Sequence, residues 1–433
     1  MNVSTKQQRI AELAKQSPEL SFTSLNHHLD LDWLSEAYRG LRKDSAPGQD
    51  GQTVRDYGAE LESNLPGLLE RAKSGRYFAP PVQRVHIPKE TGSETRPIGK
   101  PTTEDKLLQR AVAMLLEPIY EQDFLDCSYA FRPGRSAHDA LEALWRQSTA
   151  LGTRWILDVD IAKFFDTLDK SQLRTFLQHR VRDGVITRLI GKWLKAGVLE
   201  EGAVHYPEDG VPQGGSISPL LSNVYLHYVL DLWFAEEVKP RLRGRAFMIR
   251  FADDVVMGFE YQEDAQRVLQ VLPKRFGRYG LTIHPEKTRL VAFGRPNAQE
   301  ANKPGTFDFL GFTHYWGRSR RGKWIIKRKT AGKRFTRGLK RIGEWCRRNR
   351  HQPLAEQHRM LCQKLRGHCA YYGITGNGLW LQKFREEVKK RWQKWLNRRS
   401  RRAAMPWERF QQLLQRYRLP PPRVVHSIYV AKP

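Results

Sequence analysis

The sequence predicts an α+β protein that is entirely helical from about residue 330 onward. Short runs with a two-residue apolar period, such as 80–89 and 154–166, alternate with segments of helical period through the first 330 residues. Beyond residue 330 only the helical period remains. The charge changes in the same region. Residues 1–300 hold 40 Lys and Arg against 40 Asp and Glu, residues 301–433 hold 34 against 6, and the whole excess of +28 therefore lies in the C-terminal third.

In chain order, residues 1–45 read as short helices with a polar start, and SAPGQDG (45–51) is turn chemistry throughout. Residues 53–75 read as helical. PPVQRVHIPK (80–89) alternates like a strand, ETGSET is a loop, and RPIG opens a second strand. In 102–124, Thr102 or Thr103 caps a helix on which Leu107, Ala111, Met114 and Leu115 recur at helical spacing. FRPGRSAHDALEALWR turns into another helix. RWILDVDIAKFFD (154–166) reads as a strand with Ile156, Asp158 and Asp160 on one face and Trp155, Leu157, Val159 and Ile161 on the other. Residues 170–196 are helical, and EDGVPQGG is a glycine-rich turn before a long helix. RAFMIRFADDVVMGFEY is a hairpin, 262–279 a helix, and LTIHPEKTRLVAF and TFDFLGFTHYW are strand-like. Four apolar stripes follow: Phe335, Leu339, Ile342; Leu354, Leu361, Leu365; Phe384, Val388, Trp392, Trp395; and Phe410, Leu413, Leu414, Tyr417.

Composition narrows the function. A chain of 433 residues is long enough for two or three domains. No apolar run approaches the ~18–20 residues of a membrane span, so no membrane partner is expected. The N-terminus has no apolar signal core, so nothing suggests secretion and a cytoplasmic location is expected. Cys127, Cys346, Cys362 and Cys369 form no CxxC pair, and neither a zinc knuckle nor a disulfide framework is expected. The basic third interleaves cations with Trp316, Trp324, Trp345, Tyr371, Tyr372, Trp380, Trp392, Trp395 and Trp407. That mixture suits RNA or single strands better than anionic lipid or a merely solvated face, although many of these rings belong to helix cores.

MIRFADDVVMGF (248–259) sets Asp253 and Asp254 side by side between two apolar runs. Adjacent carboxylates at a half-buried turn repel each other. A lone pair of this kind is ordinary turn chemistry. Brought beside Asp160, however, three acids would form a site for two divalent cations, and hard oxygen donors suit Mg2+. Paired ions of this kind serve in-line phosphoryl displacement.

The order of segments adds a resemblance. IPKETGSETRPIGKPTTEDKLLQRAV, YAFRPGRSAHDAL, LDVDIAKFFDTLD, GVPQGGSISPLLSNVYLHYVLD, RFADDVVMGF, LTIHPEKTRLVAF and FLGFTHY resemble, in sequence order, the characteristic blocks of reverse transcriptases encoded by bacterial group II introns. The resemblance covers about residues 35–400. It implies a right-hand polymerase: fingers, a ferredoxin-like palm and an all-helical thumb or maturase X domain. The expected divisions are an N-terminal extension (1–45), fingers and palm (46–315), thumb/X domain (316–403) and a C-terminal basic helix and tail (404–433).

By the same resemblance, Asp160 matches the first catalytic aspartate, and Asp253 and Asp254 match the Y-x-D-D pair. Two Mg2+ ions, with Mn2+ as a substitute, would be held by Asp160, Asp253 and the Ile161 carbonyl, with Asp254 supporting. Asp158 matches no catalytic position and is expected to be structural. Phe165 matches the steric gate that favours deoxynucleotides, with Phe164 a core residue. Lys89 and Arg96 match the triphosphate clamp, as bidentate Arg and point-charge Lys suit. Gln213 matches the residue that touches the incoming sugar, with Gly214 and Gly215 permitting close backbone approach. Lys287 matches a lysine proposed to protonate leaving pyrophosphate. Phe309, Leu310, Gly311 and Phe312 resemble the primer grip. Phe251 departs from the family's Tyr: it keeps the ring and loses a hydroxyl, which bears on fidelity or primer affinity rather than on metal binding.

The implied activity is RNA-directed DNA synthesis, joined to intron-RNA binding in splicing and retromobility. The implied partners are template and intron RNA, a DNA primer or target, dNTPs and, left open, a second copy in a homodimer. RGHCAYYGITGN and the basic helix after it resemble the maturase domain. No HNH-type endonuclease follows, so a primer from elsewhere, such as a replication fork, is expected. Two readings stand beside this one: a domesticated relative in phage defence or repair, and an RNA-binding maturase with vestigial polymerase activity.

Overall fold

The computed structural model describes residues 2–88, 95–200, 202–210, 214–296, 304–400 and 405–427; of Arg96, only the backbone is described. The chain forms two compact units, Met1–Ala140 with Leu157–Leu290, and Leu141–Ile156 with Val291–Pro433.

The first unit opens with helices α1 (Val3–Gln16), α2 (Leu31–Arg39), α3 (Val54–Ala59) and α4 (Leu61–Ser74). Strands β1 (Val82–Pro88) and β2 (Thr95–Lys100) follow, then helix α5 (Thr103–Asp123); helix α6 (Ala137–Ala150) begins in this unit and runs on into the second. Thr102 caps α5 by accepting from Asp105 N, and Thr53 and Asp56 form a reciprocal capping box on α3. The first 45 residues pack on the helices that follow. Gln7 Nε2 donates to the Met114 carbonyl at 3.1 Å, and the buried Trp33 indole donates to the Ala111 carbonyl at 2.9 Å, fastening α1 and α2 to α5.

Strand β3 (Trp155–Ala162) leads to α7 (Phe164–Thr167), α8 (Lys170–Arg180) and α9 (Gly184–Lys195). Asp169 and Asp183 cap α8 and α9 by accepting from backbone N–H groups. The hairpin β4 (Val198–Glu200) and β5 (Ala203–His205) precedes α10 (Ser218–Leu226), which continues into a wider, π-type winding over His227–Val238. Then come β6 (Ala246–Phe251), β7 (Asp254–Phe259), α11 (Gln262–Gly277), β8 (Thr282–Ile283) and β9 (Arg289–Ala292).

Two sheets organise this region. One has the order β2-β1-β4-β5, with β4 parallel to β1. The other runs β6-β7-β3-β8, with β9 also pairing β3. Sequence reasoning carried β3 through residue 166; the strand stops at Ala162 because Lys163 turns left-handed at φ 47° and starts a helical turn.

The second unit holds the meander β10 (Phe307–Phe309), β11 (Phe312–Arg318) and β12 (Trp324–Thr330), then α12 (Gly332–Arg348), α13 (Leu354–Tyr372), α14 (Gly378–Leu396) and α15 (Trp407–Arg416). The division expected at residue 316 falls inside β11, whose hydrogen-bonded partners flank it on both sides. The stripes of the four helices meet in one core containing Leu339, Ile342, Leu361, Leu365, Phe384, Val388, Trp392 and Phe410. Phe410 is fully buried there, so α15 is part of the same core rather than a separate tail. Each such side chain contributes about 1.5–3 kcal/mol. The one polar atom of the Trp392 ring is satisfied by Gln357 Oε1 at 2.9 Å.

Candidate active site

Strand β3 places Leu157, Val159 and Ile161 in the core and turns Asp158 and Asp160 the other way, half-buried. The Asp160 backbone is pinned on both sides. Its carbonyl accepts from His284 N at 2.8 Å, and its N–H donates to Thr288 Oγ1 at 3.2 Å. The segment that supplies these bonds also delivers cations: Lys287 Nζ lies 3.6 Å from Asp160 Oδ1, and Arg289 lies 3.4 Å from Asp158 Oδ2. Lys287 and Asp160 are thus neighbours, whereas Asp158 is engaged by Arg289.

Asp253 and Asp254 sit at the turn of the β6–β7 hairpin, where Phe251 pairs with Asp254. β7 lies beside β3 in the same sheet, so the two acid-bearing segments occupy neighbouring strands. Asp253 is half-buried and Asp254 exposed. Ala252 holds φ 58°, a left-handed conformation that costs a non-glycine residue roughly 1–2 kcal/mol.

What holds that turn is Arg250, a fully buried cation inside the apolar strand β6. Its Nε donates to Asp231 Oδ1 at 2.7 Å and its Nη2 to Asp231 Oδ2 at 2.5 Å. Nη1 reaches Asn223 Oδ1 at 3.0 Å and the Ala252 carbonyl at 3.2 Å. Burial alone would depress the guanidinium, but the Asp231 carboxylate outweighs it and holds the group above the usual arginine range. Sequence reasoning missed Arg250, Asp231 and Asn223. The available signal was a lone Arg between Ile249 and Phe251, in a strand otherwise built for the core.

Phe165 stands half-buried on α7, its ring edge-on to Phe164 at 5.2 Å, while Phe164 belongs to the core. Phe165 lines a cavity of about 220 Å³ with Arg84, Pro97 and Gly99 of the β1–β2 hairpin and with Asp209 and Gly210. Lys89, Gln213 and the side chain of Arg96 lie outside the described residues; the Arg96 backbone pairs with Ile87. Gly214, at φ 118°, is pressed so closely on β2 that a Cβ would stand 2.1 Å from the Gly99 carbonyl oxygen. The close approach foreseen for this glycine is to the protein's own backbone.

In the second unit, Leu310 (φ 48°) and Gly311 (φ 80°) form the tight turn between β10 and β11. The Tyr371 hydroxyl donates to the Leu310 carbonyl at 2.9 Å, and Ala331 N to the Gly311 carbonyl at 3.0 Å. Phe309 and Phe312 point into the core, leaving only Leu310 and Gly311 at the tip.

No three His, Cys, Asp or Glu side chains gather tightly enough to hold a metal ion among the described residues. The donor types nonetheless fit a hard cation: carboxylates on adjacent strands, a backbone carbonyl nearby, and a cationic ammonium already facing Asp160.

An α+β fold, with acids on neighbouring strands of one sheet and a hairpin of strands that shares a cavity with Phe165, fits one class: an α+β polymerase fold. The model of the family described as "Reverse transcriptase (RNA-dependent DNA polymerase)" matches residues 87–314. Protein YkfC of Escherichia coli K12 is 33% identical over 366 residues, 75% of this chain and 92% of its own length. The group II intron-encoded protein LtrA of Lactococcus lactis is 34% identical over 281 residues, 62% of this chain but only 46% of LtrA. Nuclear intron maturase 2, mitochondrial, of Arabidopsis thaliana is 36% identical over 96 residues, 22% of this chain and 13% of its own. The chain belongs to the reverse transcriptase family, the RNA-dependent DNA polymerases, and the resemblance to the group II intron proteins is borne out. Members of this family use divalent metal ions, and no helix among the described residues is long and apolar enough to cross a membrane.

Proposed function

We propose that the protein copies RNA into DNA by metal-assisted nucleotidyl transfer and that it serves the splicing and mobility of a group II intron. The observation that carries the reading is the arrangement of Asp160 and the Asp253–Asp254 turn on adjacent strands of one sheet.

Two Mg2+ ions, when bound, would neutralise the acids, acidify the attacking 3′-hydroxyl and offset charge on the departing pyrophosphate. Asp160, Asp253 and the Ile161 carbonyl are the residues that would hold them, with Asp254 supporting. Arg250 fixes the turn from beneath, so the carboxylates do not have to be ordered at the moment of reaction. Lys287, whose Nζ lies 3.6 Å from Asp160 Oδ1, is the residue that would donate a proton to the leaving pyrophosphate. Phe165 bars a 2′-hydroxyl, Lys89 and Arg96 hold the triphosphate, and Gln213 meets the sugar. The Leu310–Gly311 tip guides the primer end. The basic helices α12–α14 grip RNA phosphates.

Incubation with an RNA template, DNA primer, dNTPs and Mg2+ should yield cDNA. Asp253→Ala should abolish synthesis and spare RNA binding and splicing. Absence of cDNA from the unaltered protein would end the polymerase reading and leave an RNA-binding maturase.

A further inference from the structure

The first unit contains a second cavity, of about 550 Å³, that shares no residue with the catalytic set. It lies where the chain leaving α4 meets α9 and the β4–β5 hairpin. Four cations line it, Arg174, Arg188, Lys192 and Lys195, and no acid does among the described residues. Residues 1–300 are charge-balanced at 40 against 40, so this asymmetry is not a by-product of a basic composition. Lys192 is committed to structure, donating to the Gly75 carbonyl at 2.6 Å, and Arg188 donates to the Lys73 carbonyl at 3.0 Å. Arg174 and Lys195 extend, exposed, at the rim.

Two aromatic rings stand open in the same cavity, Phe78 at 72% exposure and Tyr206 at 69%. The Tyr206 ring rests on Gly197, where a Cβ would come within 3.0 Å of it. The glycine thus leaves room for the ring beside the backbone, where most of it stays open to solvent. Open rings among unneutralised cations are the arrangement that takes unpaired nucleotides: bases stack on the rings and phosphates meet the cations.

We infer that this cavity is a second RNA-binding site, taking an unpaired stretch of RNA with bases stacked on Phe78 and Tyr206 and phosphates at Arg174 and Lys195. The inference rests on reading the chain as acting on RNA, and not on the carboxylate chemistry.

The probe is a fluorescein-labelled oligo(U) carrying 4-thiouridine, used with the full chain. Photo-cross-links should map to the peptides holding Phe78 or Tyr206. Phe78→Ala with Tyr206→Ala should remove those cross-links and raise the Kd about 5- to 150-fold for each base unstacked, while Tyr206→Phe should restore them. Arg174→Gln with Lys195→Gln should flatten the dependence of log Kd on log salt by about 0.7 per lost phosphate contact, a change that a packing defect would not produce. Both rings are exposed, so these variants should melt like the unaltered protein. Cross-links confined to residues beyond 330, with Kd and salt slope unchanged in both pairs, would overturn the inference. So would displacement of the oligonucleotide by an acidic peptide whose binding ignores the ring variants, which would assign the cavity to a protein partner. Failure to make cDNA would count against the polymerase reading alone, because the binding assay needs no catalysis.

Discussion

The two units carry their charge differently. The first has a balanced sequence and sets acids on neighbouring strands of one sheet: Asp160 on β3 and Asp253–Asp254 at the turn of the adjacent hairpin. The second carries nearly all the net charge, 34 Lys and Arg against 6 Asp and Glu from residue 301 onward, spread along helices around an apolar core. A polyanion is gripped by many weak, exchangeable contacts, so dispersed cations on a simple scaffold suffice. Chemistry at one phosphorus needs charge fixed at one place, and that demands a costlier scaffold. The left-handed Ala252 and the buried Arg250–Asp231 pair belong to the unit that needs precision.

The sharpest way to break this contrast is Asp253→Ala, which should cut primer extension by about 10³-fold or more, the several kcal/mol that metal-held charge is worth, while nitrocellulose binding of RNA stays within about 2-fold. An equal loss of both would mean that the acids serve RNA binding. Next, Arg250→Met should cost about 3–5 kcal/mol in denaturant titrations, because Asp231 is left buried and unpaired. Pairing it with Asp231→Leu should recover most of that stability but not the extension rate, since Ala252 still lacks its anchor. Phe165→Val should lower the preference for dNTP over rNTP by roughly 10-fold or more in single-nucleotide incorporation, with RNA affinity unmoved.

The smallest effect concerns pH. Burial raises the Asp105 and Asp123 carboxyls in the first unit to about 6. Burial lowers His314 to about 3 and His368 to about 4 in the second. An acid raised above its unfolded value stabilises at low pH and loses that contribution as pH rises through 6. An imidazole lowered below its unfolded 6.5 stabilises above 6.5 and loses that contribution as pH falls. Acidification from pH 7 to 5 should therefore weaken the second unit by up to about 2 kcal/mol per imidazole, whereas in the first unit the loss at His227, which burial lowers to about 4, is offset by the gain at the two acids. Hydrogen exchange should show protection falling in α12–α14 and not in α5. The reverse pattern would contradict this assignment of buried groups.

Much of this contrast can be read directly in the sequence. The two-residue period of β3 puts Asp158 and Asp160 on one face, and the helical stripes name eight residues of the core of α12–α15, from Leu339 to Phe410, but not Cys346, Cys362 or Leu396. β12 escapes such reading because its inward positions include Arg328 and Thr330, so the buried face does not look apolar. The β4–β5 hairpin escapes because Ala203–His205 is exposed along its whole length and carries no alternation. The Arg250 network is invisible for a different reason: Asp231 and Asn223 reach it from a helix, and local periodicity carries no information about which distant acid a buried cation will find. Likewise Phe309 and Phe312 fall in a recognisable block, but only the fold reveals that they serve the core and that Leu310 and Gly311 form the tip.

The contact between Gly214 and the Gly99 carbonyl has a steric consequence. With no side chain between them, Gly214 and the strand β2 meet backbone against backbone, and β2 is in turn laddered to β1 from Thr95 to Lys100. Any side chain at position 214 would have to displace that edge, so a single absent methyl group lets two distant stretches of sequence touch.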